Sequence, residues 1–236
     1  MYKSYIKKIK KICKKKRLLL KQIGKGKKYP LFSILNKTNK PKKTICFVAG
    51  VHGDEIAGPL AVYKFLENYN FNKIKNIKII ILPVVNPFGF ERKKRVNSFG
   101  EDINRLFCEK VLKNENKIVY DFIKKERINF ILALHEDLEE GGFYMYIFEK
   151  KKEKIYRDIM KLAKKFFRIN NNKTIMGSNS SRGFIINPID KSLEYKMYHE
   201  GVLYSICAET PGKESIKKRI DFYVKLMEKI IKFNNV

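Results

Sequence analysis

The sequence feature that most constrains the fold is a short apolar run that leads directly into a turn carrying a histidine and a carboxylate. Residues 45–49 stand between two lysines and a glycine, a pattern typical of an interior strand in an α/β sheet. His52 and Glu55 follow at the carboxyl end of this strand, where open α/β sheets place their ligands. Because Gly53 allows a tight turn, both side chains can reach one divalent ion. The stretch predicts an α/β fold with a metal site at one edge of its sheet.

A second histidine supports the metal site. An isolated H-x-x-E pair is also typical of a surface histidine near a helix N-terminus, with a glutamate favoured by the helix dipole. The chain has three histidines, however, and His135 also stands at the end of a predicted core strand, residues 129–134. His52, Glu55 and His135 would leave one coordination position open for water, as catalytic zinc sites do. We therefore predict one catalytic Zn²⁺.

Further strands and helices alternate along the chain. Residues 77–84 are a second interior strand, and the helical periodicity before them, over residues 56–69, predicts a right-handed β-α-β unit with parallel strands. A last core strand over residues 202–208 leads to Glu209. A carboxylate at this place is what a metal hydrolase needs as general base for its water. On this residue alone, a salt-bridge partner at the rim of the site is an equal alternative.

Polar residues fill the long connection over residues 86–107, and connections of this length inside compact domains tend to be binding loops. Arg95, Asn104 and Arg105 are candidates to hold an anion, because a guanidinium can bind a carboxylate through two parallel hydrogen bonds. Lys93 and Lys94 are better explained as solvated basic surface. The polar segment 170–187 is predicted to be a flexible loop at the rim of the cleft.

We predict one domain over residues 1–236, with residues 1–22 as a basic N-terminal helical extension. The apolar residues of this extension recur at helical spacing. A helix that packs on the domain is favoured over one that touches a membrane surface. Further helices are predicted over residues 106–125, 154–167 and 213–233.

The charge of the chain is strongly positive, at +28 from 52 Lys and Arg against 24 Asp and Glu. Such a balance can indicate nucleic acid or an anionic surface as the partner. The lysines are spread along the whole sequence, so we predict no specific nucleic-acid binding and only weak, salt-sensitive contact with anionic polymers, including cell-wall material. Hydrophobic residues at 44% exclude a disordered polyelectrolyte.

The four cysteines (Cys13, Cys46, Cys108 and Cys207) are far apart and form no C-x-x-C pair. They are typical of small core residues in a reducing compartment. The N-terminus carries no cleavage-site pattern, and no apolar segment has the length of a membrane span. We predict a cytoplasmic protein.

Five motifs occur in an order that resembles the zinc carboxypeptidase family, the carboxypeptidase A group with its aspartoacylase and succinylglutamate desuccinylase relatives. The motifs are Gly50-Val51-His52-Gly53-Asp54-Glu55, Asn86-Pro87-Phe88-Gly89, Arg95-Val96-Asn97 followed by Gly100-Glu101-Asp102-Ile103-Asn104-Arg105, Leu134-His135-Glu136-Asp137 and Ala208-Glu209-Thr210. Each motif is weak alone, but five of them in the family's order are jointly specific. The resemblance covers roughly residues 23–231.

The resemblance implies a three-layer α/β/α fold with a mixed, mostly parallel central sheet, and it implies roles for seven residues. His52, Glu55 and His135 would be the zinc ligands, Glu209 the general base, Arg95 the group that polarises the scissile carbonyl, and Asn104 with Arg105 the site for the substrate's free carboxylate. The family also places a tyrosine over the substrate. Tyr195, Tyr198 and Tyr204 are near the base in sequence, but none stands in a matching motif, and the chain is short for the family.

The leading functional hypothesis is a zinc metallocarboxypeptidase that hydrolyses the C-terminal amide bond of a short peptide, for example one derived from the cell wall. The alternative enzyme is an N-acyl amino acid deacylase of the aspartoacylase or succinylglutamate desuccinylase type, since the same metal set and the Asn-Arg pair serve both reactions. A third hypothesis is an inactive protein that keeps the fold and binds anions with its basic surface.

Overall fold

A mixed sheet with helices on both faces forms the centre of the structure, a computed structural model that describes residues 1–74, 76–139, 141–149 and 153–235. The helices are α1 Tyr2–Lys16, α2 Ala57–Asn68, α3 Pro87–Arg92, α4 Asn114–Ile123, α5 Lys154–Ala163, α6 Leu193–His199 and α7 Ile216–Asn234. The strands are β1 Leu19–Lys25, β2 Pro30–Leu35, β3 Lys43–Ala49, β4 Ile77–Leu82, β5 Phe130–Asp137, β6 Tyr144–Phe148, β7 Thr174–Ile175, β8 Ser178–Asn179, β9 Phe184–Ile186 and β10 Tyr204–Pro211.

The main sheet has eight strands in the order β1-β2-β4-β3-β5-β10-β6-β9, and β7 with β8 forms a separate pair. The four middle strands β4, β3, β5 and β10 run parallel, whereas β2 and β6 join them in antiparallel fashion. The carboxyl ends of β3, β5 and β10 therefore meet at one edge of the sheet, which is where parallel sheets place their ligands.

Strand β3 shows why the sheet is covered on both faces. Ile45, Phe47 and Ala49 belong to the apolar cluster beneath α1, α2, α5 and α7, whereas Cys46 and Val48 belong to the cluster beneath α4 and α6. Successive side chains of a strand point to opposite faces, so a strand that is apolar throughout needs a helical layer on each side. The predicted three-layer α/β/α fold with a mixed, mostly parallel sheet is confirmed.

The prediction of a helical extension over residues 1–22 is wrong for residues 17–22. Helix α1 ends at Lys16, where Arg17 adopts a left-handed conformation with φ of 56°, and the chain continues as β1, which pairs with β2. Pairing with a neighbouring strand satisfies the backbone groups of β1, which the helical spacing of side chains could not reveal. The apolar side of α1 is buried in the core cluster, and the Tyr5 hydroxyl donates to the Pro59 carbonyl at 2.8 Å.

The prediction of a flexible loop over residues 170–187 is also wrong in part. Its end forms β9, which extends the sheet beside β6, because Ile185 is buried next to Tyr144 while its two neighbours in β9 are not fully buried. Two predicted helices are shorter than expected, since α4 begins at Asn114 and α5 ends at Ala163. None of the described helices is long and apolar enough to cross a membrane.

Candidate metal centre

The turn after β3 brings His52 and Glu55 together in the protein interior. Gly50 reverses the chain with φ of +60°, a conformation that side chains other than hydrogen disfavour. Gly53 then lies so close to the backbone of Gly89 that a β-carbon would overlap it. His52 and Glu55 are each 3% exposed, and the Nδ1 atom of His52 lies 2.5 Å from Oε1 of Glu55. The local turn thus fixes both side chains in one place.

Strand β5 adds His135 from the neighbouring position in the sheet. His135 lies within the strand, which continues to Asp137, and its side chain is 1% exposed. Its Nδ1 atom is 2.8 Å from Oε2 of Glu55, and its ring centroid is 4.8 Å from that of His52. One ligand atom of each of the three residues lies within 4.8 Å of the other two. The structure therefore brings together the three residues that the sequence selected as metal ligands.

The chemistry of this cluster fits a zinc ion. Two imidazoles and one carboxylate, with a position left for water, are the donor set of catalytic zinc sites. The Nε2 atom of His135 is buried and makes no hydrogen bond to a described residue, which is costly for a polar atom unless a ligand satisfies the ring. Burial alone would raise the pKa of Glu55, but the two imidazoles outweigh it and hold that pKa at about 2. The carboxylate is therefore ionised and ready to bind a cation.

Asp102 orients His52, and the sequence alone did not identify it. Its Oδ1 atom lies 3.1 Å from Nε2 of His52 and accepts a hydrogen bond from the Asn104 backbone N–H at 3.0 Å. A carboxylate on one ring nitrogen of a histidine fixes the ring and leaves the other nitrogen free for a metal. Nδ1 of His52 is therefore the nitrogen that faces the candidate ion. The contact joins residues fifty positions apart, and no local pattern predicts it.

Glu136 connects the cluster to helix α2. The Glu136 backbone N–H donates to Oε2 of Glu55 at 3.1 Å, while the Glu136 carboxylate accepts from the backbone N–H of Ala57 and pairs with Arg219. Helix α2 has no side-chain cap of its own. The Glu136 carboxylate from β5 instead accepts a backbone N–H at the start of the helix that would otherwise lack a partner. The arrangement fixes Glu55 and the start of α2 to the same strand.

Arg95, which the sequence analysis selected as a candidate anion-binding residue, lies at the entrance of the site. Its NH1 atom is 3.5 Å from Oε1 of Glu55, and its NH2 atom is 3.0 Å from Oδ2 of Asp102. The Asn-Pro-Phe-Gly motif holds this loop in place, because buried Asn86 accepts from the Gly89 N–H at 2.8 Å and donates to the Arg95 carbonyl at 3.1 Å. The motif therefore acts as a scaffold for Arg95.

Glu209 lies beside the cluster without joining its ion pairs. Strands β5 and β10 pair so that Glu209 stands opposite His135, and opposite residues of paired strands face the same side of a sheet. Glu209 is partly buried. Burial raises its pKa to about 7, although His135 favours its ionised form. A carboxyl group with this pKa can accept and release a proton near neutral pH.

A cleft of about 310 Å³ connects these residues with Asn104 and Arg105. Part of Asn104 is already engaged, because its side-chain oxygen accepts from the Leu193 N–H at the start of α6 at 3.2 Å. Arg105 is exposed, and its NH1 atom donates to the Asn104 carbonyl at 3.1 Å. Both predicted anion-binding residues therefore line the same cleft as the His/Glu cluster.

The tyrosines of the cleft are Tyr144 and Tyr146 of β6, and sequence reasoning missed them. Of the three tyrosines it named, Tyr195 and Tyr198 pack on Phe148, with ring centroids 6.1 Å apart in both pairs. Tyr204 stacks on Phe130 at 5.3 Å. The Tyr144 hydroxyl donates to Oδ2 of Asp137 at 2.5 Å. Strand alternation after Gly142 could have placed both rings on one face of β6, but whether that face lines the cleft depends on the pairing of β6 with β10.

Several solved structures share this fold. A proposed metallopeptidase from Shewanella amazonensis SB2B superposes with a TM-score of 0.87 at 24% identity, over 97% of this chain and 91% of that one. A metallo-carboxypeptidase from Burkholderia cenocepacia gives 0.73 at 14% identity, over 95% and 66%. Bovine thrombin-activatable fibrinolysis inhibitor, solved with a tick carboxypeptidase inhibitor, gives 0.68 at 18% identity, over 100% and 98%. At these identities the likeness concerns the fold.

Sequence comparison identifies the family. A search of the curated proteins found no match. The model of the succinylglutamate desuccinylase/aspartoacylase catalytic domain matches residues 41–168, more than half of the chain and a segment that contains the whole His52, Glu55 and His135 cluster. The predicted relationship is thereby confirmed, and the family supports a metallohydrolase. The chain belongs to the succinylglutamate desuccinylase/aspartoacylase catalytic domain family, on the fold that zinc carboxypeptidases share.

Proposed function

We propose that the protein is a zinc-dependent metallocarboxypeptidase that hydrolyses the C-terminal amide bond of a short peptide, for example a cell-wall-derived peptide. The observation that carries the proposal is the register of β5 and β10, which sets Glu209 opposite His135. This register provides a carboxyl group with a near-neutral pKa next to a buried His/Glu cluster. A metal ligand set beside a free proton acceptor is the minimum that metal-assisted hydrolysis requires.

In this proposal His52, Glu55 and His135 hold one zinc ion. Zinc bound there would supply Lewis acidity and lower the pKa of a water molecule to about 7. Asp102 keeps the His52 ring in the orientation that presents Nδ1 to the ion. The buried setting of all three ligands excludes bulk water from the cluster and strengthens its electrostatic interactions.

Glu209 then acts as the general base, accepting a proton from the attacking water and passing it to the leaving amine. Arg95 points its guanidinium towards the cluster, where it can donate hydrogen bonds to the oxygen of the scissile carbonyl as negative charge develops on it. Such preorganised donors contribute about 3–4 kcal/mol to transition-state stabilisation. Arg105, with the remaining donors of Asn104, binds the free carboxylate of the substrate and so sets which amide bond faces Glu209.

A second candidate function is the hydrolysis of N-acyl amino acids, which the family match favours directly because its description names a desuccinylase and an aspartoacylase. Both reactions break an amide bond next to a carboxylate and need the same groups. They differ in what occupies the far side of the amide, a peptide or a short acyl chain.

A substrate panel distinguishes the two. Zinc-loaded protein would be incubated with dipeptides, tripeptides, N-acetyl amino acids and N-succinyl amino acids, and the products identified by mass spectrometry. We expect release of the C-terminal amino acid from the peptides, and loss of this release when a chelator removes the metal. Turnover confined to the acyl amino acids would transfer the assignment to the deacylase, and absence of turnover in both groups would contradict the hydrolase.

A further inference from the structure

A second cleft lies between helix α5, the segment over residues 167–171 and the turn over residues 181–184. Its volume is about 490 Å³, compared with about 310 Å³ for the cleft of the His/Glu cluster. Sites for small molecules have volumes of about 300–1,000 Å³. The described lining of the second cleft contains five basic residues and no acidic residue. The cleft therefore has the size of a ligand site and the charge to attract an anion.

The two clefts lie on opposite faces of the sheet. In the pairing of β6 with β9, Phe184 stands opposite Met145, and Met145 belongs to the apolar cluster beneath α5 and α7. Tyr144 and Tyr146, its neighbours in β6, line the cleft of the His/Glu cluster instead. Successive side chains of a strand point to opposite faces. A ligand in the second cleft is therefore separated by the sheet from the proposed metal ligands.

Arginine is concentrated in the second cleft. The chain has 9 arginines among its 52 basic residues, yet three of the five basic residues in this lining are arginines, namely Arg157, Arg168 and Arg182. Each comes from a different one of the three segments, and each is exposed. None of these guanidinium groups forms an ion pair with an acid among the described residues. A guanidinium binds phosphate through two parallel hydrogen bonds, so the cleft offers phosphate-binding groups that the fold leaves unused.

The two lysines of the lining have a simpler explanation. Lys161 lies in the last turn of α5, and Lys164 follows the end of the helix, where the helix dipole favours basic side chains. An ammonium group is a point charge and does not fix the orientation of an anion as a guanidinium does. The lysines add positive charge to the cleft, but the choice of ligand depends on the three arginines.

The turn that carries Arg182 is fixed against the floor of the cleft. Ser181 and Phe184 exchange two backbone hydrogen bonds, each of 3.0 Å, around Arg182 and Gly183, which have φ of 52° and 77°. Positive φ at both central residues is typical of the tight turns of β-hairpins. A β-carbon on Gly183 would overlap the side chain of Ile169. The backbone of Arg182 therefore stays in one place beside the cleft.

The floor of the cleft is apolar. Met160, Phe167 and Ile169 line it and are buried. The Phe167 ring is nearly parallel to that of Phe143, at 9° with centroids 6.3 Å apart. Phe184 is half-buried, so part of its ring surface is available to a ligand. Aromatic rings pack favourably on such surfaces, whereas a purely inorganic anion would leave this surface uncovered. The cleft suits a ligand with a flat ring and more than one negative charge.

We propose that the second cleft binds a nucleoside diphosphate, with its phosphates on the three arginines and its base on Phe184 and the apolar floor. A single nucleotide is favoured over a nucleic-acid strand, because a strand needs several accessible rings for successive bases. The described lining offers one partly exposed ring, that of Phe184. The inference goes beyond the proposed function and does not depend on it, since hydrolysis uses no residue of this cleft.

Isothermal titration calorimetry of the zinc-loaded protein with ADP, inorganic pyrophosphate and adenosine tests the inference. Salt at about 0.15 M limits weak attraction between ADP and the basic surface. We expect ADP to bind at least about fivefold more tightly than pyrophosphate, because the base adds stacking, and adenosine to show no measurable binding. In Arg182→Gln the affinity for ADP should fall by at least about tenfold, since a hydrogen bond to a charged group is lost.

Arg127 provides a matched control. It is an exposed arginine whose backbone is also left-handed, with φ of 43° against 52° for Arg182, and it lies outside the cleft lining. Arg127→Gln removes the same charge and should leave the affinity for ADP unchanged. Circular dichroism verifies that both variants are folded. Arg168→Gln repeats the test at a second arginine of the cleft and should weaken ADP binding as Arg182→Gln does.

Four results would overturn the inference. They are no binding of ADP by the wild type, an equal loss of affinity in Arg127→Gln and Arg182→Gln, pyrophosphate binding as tightly as ADP, and a single-stranded oligonucleotide binding more tightly than ADP. Loss of ADP binding in Arg105→Gln but not in Arg182→Gln would move the ligand to the cleft of the His/Glu cluster and would also overturn it. A protein that binds ADP as expected but hydrolyses no amide would retain this inference and lose the proposed function.

Discussion

The two sides of the cleft differ in how their charges are satisfied. On the side of β3 and the Arg95 loop, Glu55 faces two imidazoles and Asp102 faces both His52 and Arg95. On the side of β10 and α6, Glu209 and Glu194 stand without a Lys or Arg partner among the described residues, and burial raises the pKa of both. The first side holds its charges in fixed pairs, as the proposed metal site requires. The second side leaves two acids without a cationic side chain, and one of them is the proposed general base.

We call the side of β10 and α6 the unpaired side, because its acids have no Lys or Arg partner among the described residues. The largest expected effect comes from removing Glu209, the proposed proton acceptor on this side. Glu209→Gln keeps the size of the side chain and should lower kcat by about 10³-fold or more, since general-base catalysis of this kind contributes about 10²–10⁴-fold. Zinc content, measured by elemental analysis, should be unchanged because Glu209 makes no ion pair with the ligands. A variant with full activity would show that the unpaired side does not handle the proton.

The side of β3 and the Arg95 loop, where each acid has a partner, is the paired side. A smaller effect is expected when Asp102, the carboxylate that orients His52 on this side, is changed. Asp102→Asn should weaken zinc binding by about 10–100-fold, because partners on the second nitrogen of a ligand histidine contribute about that much. Competition with a metal indicator gives the affinity. At saturating zinc most of the activity should return, in contrast to Glu209→Gln. Wild-type affinity in Asp102→Asn would mean that His52 is oriented by the turn alone.

The pH dependence of zinc binding tests the electrostatics of the paired side. Burial alone would lower the pKa of His135, but Glu55 outweighs it and raises this pKa to about 9 in the metal-free protein. Zinc must displace that proton, so its apparent affinity should rise with pH up to about 9, by roughly tenfold per pH unit for each proton released.

The stability of the metal-free protein should change in the opposite direction. A histidine whose folded pKa is raised stabilises the fold fully below its unfolded pKa of about 6.5, and this contribution is lost as the pH rises through about 9. Urea denaturation at pH 6 and pH 9.5, with and without zinc, measures both trends. A zinc affinity that does not change with pH would contradict the protonated state of His135.

The smallest effect is expected from Tyr223, which lies outside the cleft and links β5 to β10. The Tyr223 hydroxyl is buried between β5 and β10, where it bonds to the carbonyls of His135 and Ala208. Tyr223→Phe should lower the free energy of unfolding by about 1–2 kcal/mol, because buried carbonyls lose their donor. Zinc content should stay the same. Tyr63→Phe, at a partly exposed tyrosine, is the control and should change stability little.

The sequence predicted the paired side better than the unpaired side, and the reason is physical. His52 and Glu55 follow the apolar run of β3, and His135 ends the apolar run of β5, so a local pattern marks each position. Asp102 and Glu136 act through contacts with residues far along the chain, which periodicity cannot show. Glu194 looks like any acidic residue in the first turn of a helix, and only the packing of α6 on β10 reveals that it is buried.

The same distinction explains the errors in the fold. The apolar spacing of residues 1–22 is helical, yet residues 19–25 gain a partner strand that the spacing does not encode. In the segment over residues 170–187, three residues suffice to form β9 because the edge of the sheet at β6 is available to them. Strand pairing is a long-range event and overrides local preference at both places.

The register between β5 and β10 has a practical consequence for anyone who refolds or purifies this protein. If β10 slipped by one residue, Glu209 would turn to the opposite face of the sheet while His52, Glu55 and His135 stayed together. Such a preparation would keep the proposed zinc ligands together but would lack the proposed general base, and we expect it to be inactive. Metal content is therefore an incomplete test of correct folding. An activity assay that depends on Glu209 is also needed to show that β5 and β10 have the native register.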